Sequence, residues 1–155
     1  MCRFGMRSLT STTGSGRKGR SRGIWSAPPG QPASEAVRPG KPIYVQRREL
    51  DDTRSEDDYT IREWVEAPGV RYELVDGELE LLPGLRLVPA PGHTRGIQVV
   101  VVETGSRPVV VGGDVAVWFG ELDEPKTEGQ LRVRALEPEL VWLTHEHEPW
   151  RPRTV

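Results

Sequence analysis

The apolar residues of this chain fall into short runs that glycine or proline borders. The clearest stretch is Leu79–Asp114, in which Leu85–Val88, Gln98–Val102 and Pro108–Val111 are rich in valine and leucine. Runs of this length with such borders predict β-strands. Thr104-Gly105-Ser106 predicts a reversal between the second and third runs. We therefore expect those two strands to pair as antiparallel neighbours.

The segment before this stretch predicts mixed local structure. A short strand is predicted at Lys41–Gln46, and Glu49–Asp58 is an acidic stretch near a predicted helix start. Carboxylates favour the positive end of a helix dipole, and we interpret the rest of the acidic stretch as solvated surface. Apolar residues then indicate a short turn of helix before Pro68-Gly69: Tyr59, Ile61, Trp64 and Val65.

Two hairpins are predicted within Arg71–Leu87, with turns at Asp76-Gly77 and Pro83-Gly84. Asp-Gly is a strong hairpin signal because tight two-residue turns need positive φ. After Asp114, the spacing of Leu131, Ala135 and Leu136 predicts a short helix that ends before Pro138. The final strand is predicted at Glu139–Leu143, so the core is expected to be an antiparallel or mixed sheet.

Composition divides the chain at about residue 40. The chain has 155 residues and 35% hydrophobic content, which fits one domain at most. Residues 1–40 hold seven Lys/Arg and one acid, whereas residues 41–155 hold fourteen Lys/Arg and 22 acids. The first segment is rich in Ser, Gly, Pro and Arg and is predicted to be a disordered basic tail. Its RKGRSR run could contact phosphates, but the run has no interleaved aromatic residues that would stack on bases. We therefore favour a solvated tail over a nucleic-acid-binding segment.

Cysteine content and hydropathy limit the cellular setting. Cys2 is the single cysteine, so an internal disulfide and Cys/His zinc-finger spacing are excluded. No stretch approaches the ~20 apolar residues of a membrane helix. The start of the chain lacks the apolar region of a secretory signal. We therefore expect a cytoplasmic protein with no membrane partner.

Three polar residues follow predicted strands and could carry chemistry: His93, Asp114 and His145. Taken singly, each is more often a capping or surface residue than a metal ligand. His147 is an alternative to His145, because side chains two residues apart share a face in a strand and could chelate one ion. Ser106 lacks a catalytic histidine setting and Cys2 lies in the predicted tail, so nucleophilic catalysis by either is disfavoured.

The chain resembles the metallo-β-lactamase superfamily and, within it, the N-acyl homoserine lactonase-like group. The resemblance rests on four segments that together span nearly everything from residue 40 to the C-terminus: GKPIYVQRREL, RYELVDGELELLPGLRLVPAPGHT, VVVGGD and ELVWLTHEHEPW. They match the second half of the family domain. The first half, with its His-x-His-x-Asp-His metal motif, has no counterpart in the sequence.

The resemblance implies the C-terminal half of an αβ/βα sandwich at residues 41–155, with a mixed sheet and flanking helices. It implies that His93, Asp114 and His145 are metal ligands, with Asp114 bridging two zinc ions in the complete domain and serving as the catalytic residue. The implied reaction is hydrolysis of a lactone or ester-like bond by metal-bound hydroxide, a quorum-quenching activity. Without the first motif, we expect a truncated domain that holds at most one zinc weakly, or a non-catalytic remnant.

The sequence departs from the family pattern near the predicted ligands. Arg95 and Ile97 stand where the family continues its turn with proline and a second histidine, and Val117, followed by Trp118, replaces a tyrosine that helps to hold substrate. The LTHEHEPW segment is similar to the absent motif, but Pro149 and Trp150 stand where that motif has its aspartate and its last histidine. Half of a sandwich would also leave one apolar sheet face uncovered, so self-association through that face is expected.

Overall fold

The computed structural model describes residues 41–56 and 59–152, and the predicted tail lies outside the described residues. Among the described residues it contains two sheets and four helices. The strands are β1 Pro42–Gln46, β2 Arg71–Val75, β3 Leu79–Leu82, β4 Leu85–Pro89, β5 Gln98–Val102, β6 Val109–Gly113 and β7 Leu140–Leu143. The helices are α1 Arg47–Ser55, α2 Arg62–Val65, α3 Phe119–Asp123 and α4 Glu128–Ala135.

Strands β3 to β7 form a mixed sheet in chain order. The first three pairings are antiparallel, and β6 pairs with β7 in parallel. The predicted reversals at Pro83-Gly84 and Thr104-Gly105 are confirmed, because Gly84 and Gly105 have φ of 78° and 88°. That left-handed region is open to glycine without steric cost. The predicted valine-rich strands therefore pair as the sequence pattern indicated.

Helices connect both parallel pairs. Strands β1 and β2 are joined through α1 and α2, and β6 and β7 through α3 and α4. Parallel neighbours need such a crossover, because a tight turn would reverse the chain. The helices α3 and α4 place Leu122 and Val133 in the same buried cluster as the sheet residues Val101, Val110 and Val141.

The predicted hairpin at Asp76-Gly77 is wrong. Strand β2 pairs in parallel with β1 and does not pair with β3, which belongs to the other sheet. Gly77 still adopts a positive φ of 91°. The Gln46 side-chain amide satisfies both backbone groups of Gly77, at 2.9 and 3.0 Å. This partner comes from a distant part of the sequence, so the local Asp-Gly signal identified the turn but not the pairing.

The predicted short helix is present as α4, but its buried side differs from the prediction. Leu131 is 55% exposed, whereas Val133 is fully buried. A capping box begins the helix: Thr127 accepts from the Gln130 N–H, and the Gln130 side chain accepts from the Thr127 N–H. The T-x-x-Q spacing was the available signal.

The two faces of the five-stranded sheet differ in burial. Val101, Val110 and Val141 are paired across β5, β6 and β7 and are fully buried. On the opposite face Val111 and Trp142 are register partners and are 48% and 43% exposed. No helix of the described residues is long and apolar enough to cross a membrane.

Candidate metal centre

Asp114 and His145 lie side by side because of the sheet topology. Strands β6 and β7 are parallel neighbours, and Gly113 is the register partner of Leu143. Their C-terminal ends therefore meet at one sheet edge, and the next residues along the chain are delivered to that edge. The Thr144 N–H donates to the Gly113 carbonyl at 3.1 Å, which joins the two turns directly.

The contact between the two side chains leaves a carboxylate oxygen without a hydrogen bond. Oδ1 of Asp114 lies 3.4 Å from Nε2 of His145. This oxygen is buried and has no hydrogen-bond partner among the described residues, although the Asp114 side chain as a whole is 38% exposed. The contact becomes an ion pair only when the imidazole is protonated. A buried polar atom without a partner is costly, so this oxygen indicates a place for a cation or a proton.

Two polar side chains hold the turn that follows Asp114. The Gln130 side chain, at the start of α4, donates to the Val115 carbonyl at 3.2 Å in a buried position. The carboxylate of Glu121 in α3 accepts from the Val117 N–H at 2.8 Å. The helices of the β6 to β7 crossover therefore position the Asp114 turn as well as connect the strands.

His93 lies at the same edge of the sheet but in a different loop. It follows β4, which runs in the same direction as β6 because each pairs antiparallel with β5. Strands two places apart in a sheet are separated by about 10 Å. His93 is exposed. The structure thus brings the loops after β4, β6 and β7 to one edge, and it brings only Asp114 and His145 into contact.

The loop that carries His93 is attached to α1, which corrects one interpretation of the acidic stretch. Asp52 is buried and pairs with Arg95 at 2.9 Å, and Glu49 accepts from Thr94 at 2.7 Å. These carboxylates are therefore not simply solvated surface. Arg95, which departs from the family pattern, supplies one of the attachments.

His147 lies outside the contact between Asp114 and His145. Residues 144–145 form a turn and residues 147–148 a bend beyond the end of β7, so the shared face of an extended strand does not apply to this pair of histidines. The chain then returns beside β7, where Trp150 and Val141 exchange backbone hydrogen bonds of 2.8 and 2.9 Å. Trp150 is buried and donates from its indole nitrogen to Asp123. It anchors the segment that bears both histidines.

Asp114 and His145 carry donor atoms of the types that zinc accepts. Imidazole nitrogens and carboxylate oxygens are suitable zinc ligands, and the partnerless Asp114 oxygen beside an imidazole suits that chemistry. A protein zinc site needs at least three such ligands. No group of three His, Cys, Asp or Glu side chains within residues 41–56 and 59–152 could hold a metal ion. The described residues alone therefore do not fit a complete site.

Comparisons with known proteins agree with this architecture. No protein-family model matches the chain. The chain is 36% identical over 76 residues to a Bacillus sp. N-acyl homoserine lactonase, a match that covers 48% of this chain and 30% of the lactonase. A solved quorum-quenching N-acyl homoserine lactone hydrolase superposes with a TM-score of 0.53 and 22% identity, covering 68% of this chain and 48% of that protein. A Thermotoga maritima protein described as a metallo-β-lactamase gives a TM-score of 0.51 and 17% identity over 72% of this chain and 58% of its own.

The protein has the metallo-β-lactamase fold over part of that domain. The predicted fold class is confirmed: the chain has a mixed sheet with flanking helices, as in the metallo-β-lactamase αβ/βα sandwich. The chain spans about half the length of the solved relative, since the match covers 48% of it. A further lactone hydrolase structure, with N-hexanoyl-L-homoserine bound at its catalytic metal centre, gives a TM-score of 0.52 and 24% identity over 66% of this chain and 45% of that protein. These structural neighbours show the fold, and the sequence similarity to an N-acyl homoserine lactonase extends over 76 residues.

Proposed function

We propose that this protein is a metal-dependent hydrolase of lactone or ester-like bonds. The 155 residues supply the C-terminal half of the proposed active site. His93, Asp114 and His145 are its metal-binding side chains, and Asp114 is the catalytic residue among them. The observation that carries the proposal is the buried, partnerless Oδ1 of Asp114, 3.4 Å from the His145 imidazole at the shared ends of two parallel strands.

The relatives support this choice of reaction and metal. Similarity in sequence is to N-acyl homoserine lactonases, and one structural neighbour holds a ring-opened lactone product at a metal centre. We propose zinc as the metal, because it accepts the imidazole and carboxylate donors that this chain provides. The remaining ligands are proposed to come from a His-x-His-x-Asp-His segment, which the 155 residues do not contain.

A cleft beside the candidate metal centre has the size and chemistry for part of a small substrate. It has a volume of 410 Å³, and Glu146, the neighbour of His145, is on its wall. The lining also includes three aromatic residues, Trp118, Phe119 and Trp150, together with the charged residues Asp123 and Arg151. Ligand sites typically measure about 300–1,000 Å³ and are mainly apolar. We propose that this cleft accepts an apolar portion of the lactone or ester.

The direct test is ring opening of N-acyl homoserine lactones, with added zinc, by this chain mixed with a protein segment that supplies the His-x-His-x-Asp-His motif. The hydrolase proposal predicts proton release that depends on zinc and disappears in Asp114→Asn. Glu124→Gln is the matched control, since this acid lies in the loop after α3 and is not one of the proposed ligands. Equal activity in wild type and Asp114→Asn would contradict the catalytic assignment.

The second candidate function is a non-catalytic remnant of such a hydrolase that binds at most one zinc. It is favoured by the lack of a complete three-ligand group among the described residues and by a total of three histidines in the sequence. The same assay separates the candidates. A chain that binds one zinc or none and opens no lactone, with or without the metal, is the remnant.

We also propose that the chain self-associates through the exposed face of the five-stranded sheet. Val111 and Trp142 are adjacent on β6 and β7, and both are substantially exposed on an apolar face. Parallel strands are normally covered on both faces, so the face favours burial against another layer. The cytoplasmic location stays a prediction from the single cysteine.

A further inference from the structure

Two arginines differ from most of the others in the described part of the chain, because they have no carboxylate partner there. Seven described arginines form ion pairs with acidic side chains: Arg47, Arg48, Arg71, Arg86, Arg95, Arg132 and Arg151. Arg107 and Arg134 instead donate to backbone carbonyls. Residues 41–155 hold fourteen Lys/Arg and 22 acids. Two guanidiniums without an acidic partner are therefore unexpected in this acidic segment.

Both guanidiniums line one cleft at the start of β6 and β7. Arg107 lies two residues before β6, and Pro138 lies two residues before β7. The Glu139 N–H donates to the Pro108 carbonyl at 2.8 Å, which joins the two segments. Because β6 and β7 are parallel, this is the edge of the sheet opposite to the candidate metal centre. The cleft has a volume of 370 Å³ and is lined by Arg107, Arg134, Glu137, Pro138, Trp150 and Pro152.

The Arg107 guanidinium is fixed at the cleft by backbone carbonyls. Its Nε donates to the Glu137 carbonyl and its Nη2 to the Pro138 carbonyl, each at 2.8 Å. These carbonyls follow the C-terminal end of α4, where partial negative charge would repel an anion. The two hydrogen bonds offset that charge. An arginine has more N–H donors than these two bonds use, so Arg107 retains donors for a ligand.

The Arg134 guanidinium is held by a carbonyl and an aromatic ring. Its Nη1 donates to the Leu122 carbonyl at 2.8 Å, and its Cζ lies 5.4 Å from the centroid of the Trp150 ring. Trp150 is buried, so the guanidinium rests on a ring that is itself fixed by packing. Both arginines are thus restrained before any ligand binds. Such restraint lowers the entropy that binding would otherwise cost.

We propose that the cleft lined by Arg107 and Arg134 binds the phosphate group of a small molecule, either inorganic phosphate or a phosphate monoester. Guanidiniums form short, charge-assisted hydrogen bonds with phosphate oxygens. The terminal oxygens of a phosphate point in several directions, so guanidiniums from separate elements can bind them together. The two oxygens of a carboxylate can be bound by one guanidinium fork. Ligand sites measure about 300–1,000 Å³, so the volume of this cleft favours a small occupant.

The test is titration of the full 155-residue chain with inorganic phosphate, followed by amide NMR signals and by calorimetry. Sodium chloride at the same ionic strength controls for screening, and glycerol phosphate and acetate are titrated in parallel. The proposal predicts saturable shifts at the amides of Arg107, Glu137 and Glu139, with the Val101 amide unchanged. Tighter binding of glycerol phosphate would assign a monoester, and tighter binding of inorganic phosphate would assign the free anion. Either order supports the site.

Variants that change one charge locate the site. Arg107→Gln and Arg134→Gln should each weaken phosphate binding by about tenfold or more, because each removes a charged donor. Arg132→Gln is the matched control, since Arg132 is on α4 with Arg134 but pairs with Glu128, and its effect should stay below about twofold. Glu137→Gln should tighten binding by about twofold or more, because it removes a negative charge from the lining. Loss of folding cannot produce tighter binding.

Three results would overturn the proposal. The absence of saturable shifts in wild type does so whatever the stability of the variants. Equal weakening in Arg132→Gln and Arg134→Gln would mean non-specific attraction to positive charge. Saturation of the same amides by acetate at the concentration that phosphate requires would mean a general carboxylate site. None of these measurements uses zinc or a lactone, so the outcome is independent of the proposed hydrolase function.

Discussion

Oδ1 of Asp114 and Nε2 of His145 lie 3.4 Å apart although the two residues follow different strands. Their proximity results from the parallel pairing of β6 and β7 and not from any local sequence motif. The buried carboxylate oxygen has no hydrogen-bond donor among the described residues. A carboxylate and an imidazole are both side chains that zinc accepts as ligands.

The packing of α3 under the sheet should dominate the stability of the domain. Leu122 is fully buried in the core cluster, so Leu122→Ala should lower the free energy of unfolding by about 2–5 kcal/mol. Leu131→Ala is the matched control, because Leu131 is largely exposed on α4, and its effect should stay within about 0.5 kcal/mol. Urea unfolding followed by tryptophan fluorescence measures both. Similar losses in the two variants would contradict the assigned core.

The exposed sheet face should govern self-association. Trp142→Glu places a charge on the apolar face beside Val111 and should shift the chain toward the monomer in sedimentation velocity. Trp118→Glu makes the same change at an exposed tryptophan that precedes α3 and belongs to none of the strands. It should leave the association state unchanged. An equal shift in both variants, or none in Trp142→Glu, would count against this face.

The ion pair between Arg47, at the start of α1, and Asp76 should make the free energy of unfolding depend on pH. Hydrogen bonds from the Arg47 guanidinium hold the pKa of the Asp76 carboxyl below its ordinary value of 3.8. A lowered folded-state pKa contributes stability that is present above the unfolded pKa and is lost as the pH falls through the folded pKa. Asp76→Asn should therefore be less stable than wild type at neutral pH.

The size of the Asp76 effect should be small, because both partners are solvent-exposed and exposed ion pairs are weak. Its pH dependence is the diagnostic feature. Urea midpoints of wild type and Asp76→Asn should converge as the pH falls below 3.8. A difference that stays constant from neutral to acidic pH would mean that the carboxylate charge is not the cause.

Much of the five-stranded sheet could be predicted from local patterns. The valine-rich runs and the glycines at 84 and 105 specify strands and turns within a few residues, and the structure has both. The pairing of β2 could not be predicted in this way. It depends on contact with β1 and on Gln46 binding Gly77 across 31 residues of sequence.

The candidate site shows the same division between local and distant causes. The sequence places Asp114 and His145 after strands, but their contact needs the parallel register of β6 and β7. The restraint on the His93 loop was missed because its partners are far away in the chain: Arg95 and Asp52 are 43 residues apart. An acidic stretch carries no local signal that three of its carboxylates, those of Glu49, Asp52 and Glu56, bind a distant loop.

We propose that Asp114 and His145 each contribute a ligand to a metal site, and zinc titration of wild type, His145→Ala and His147→Ala tests this most directly. Isothermal calorimetry would give both the stoichiometry and the affinity. We predict no more than one zinc per chain, with affinity lowered by about tenfold or more in His145→Ala and changed by less than about twofold in His147→Ala. Equal affinity in wild type and His145→Ala, or a greater loss in His147→Ala, would contradict the claim.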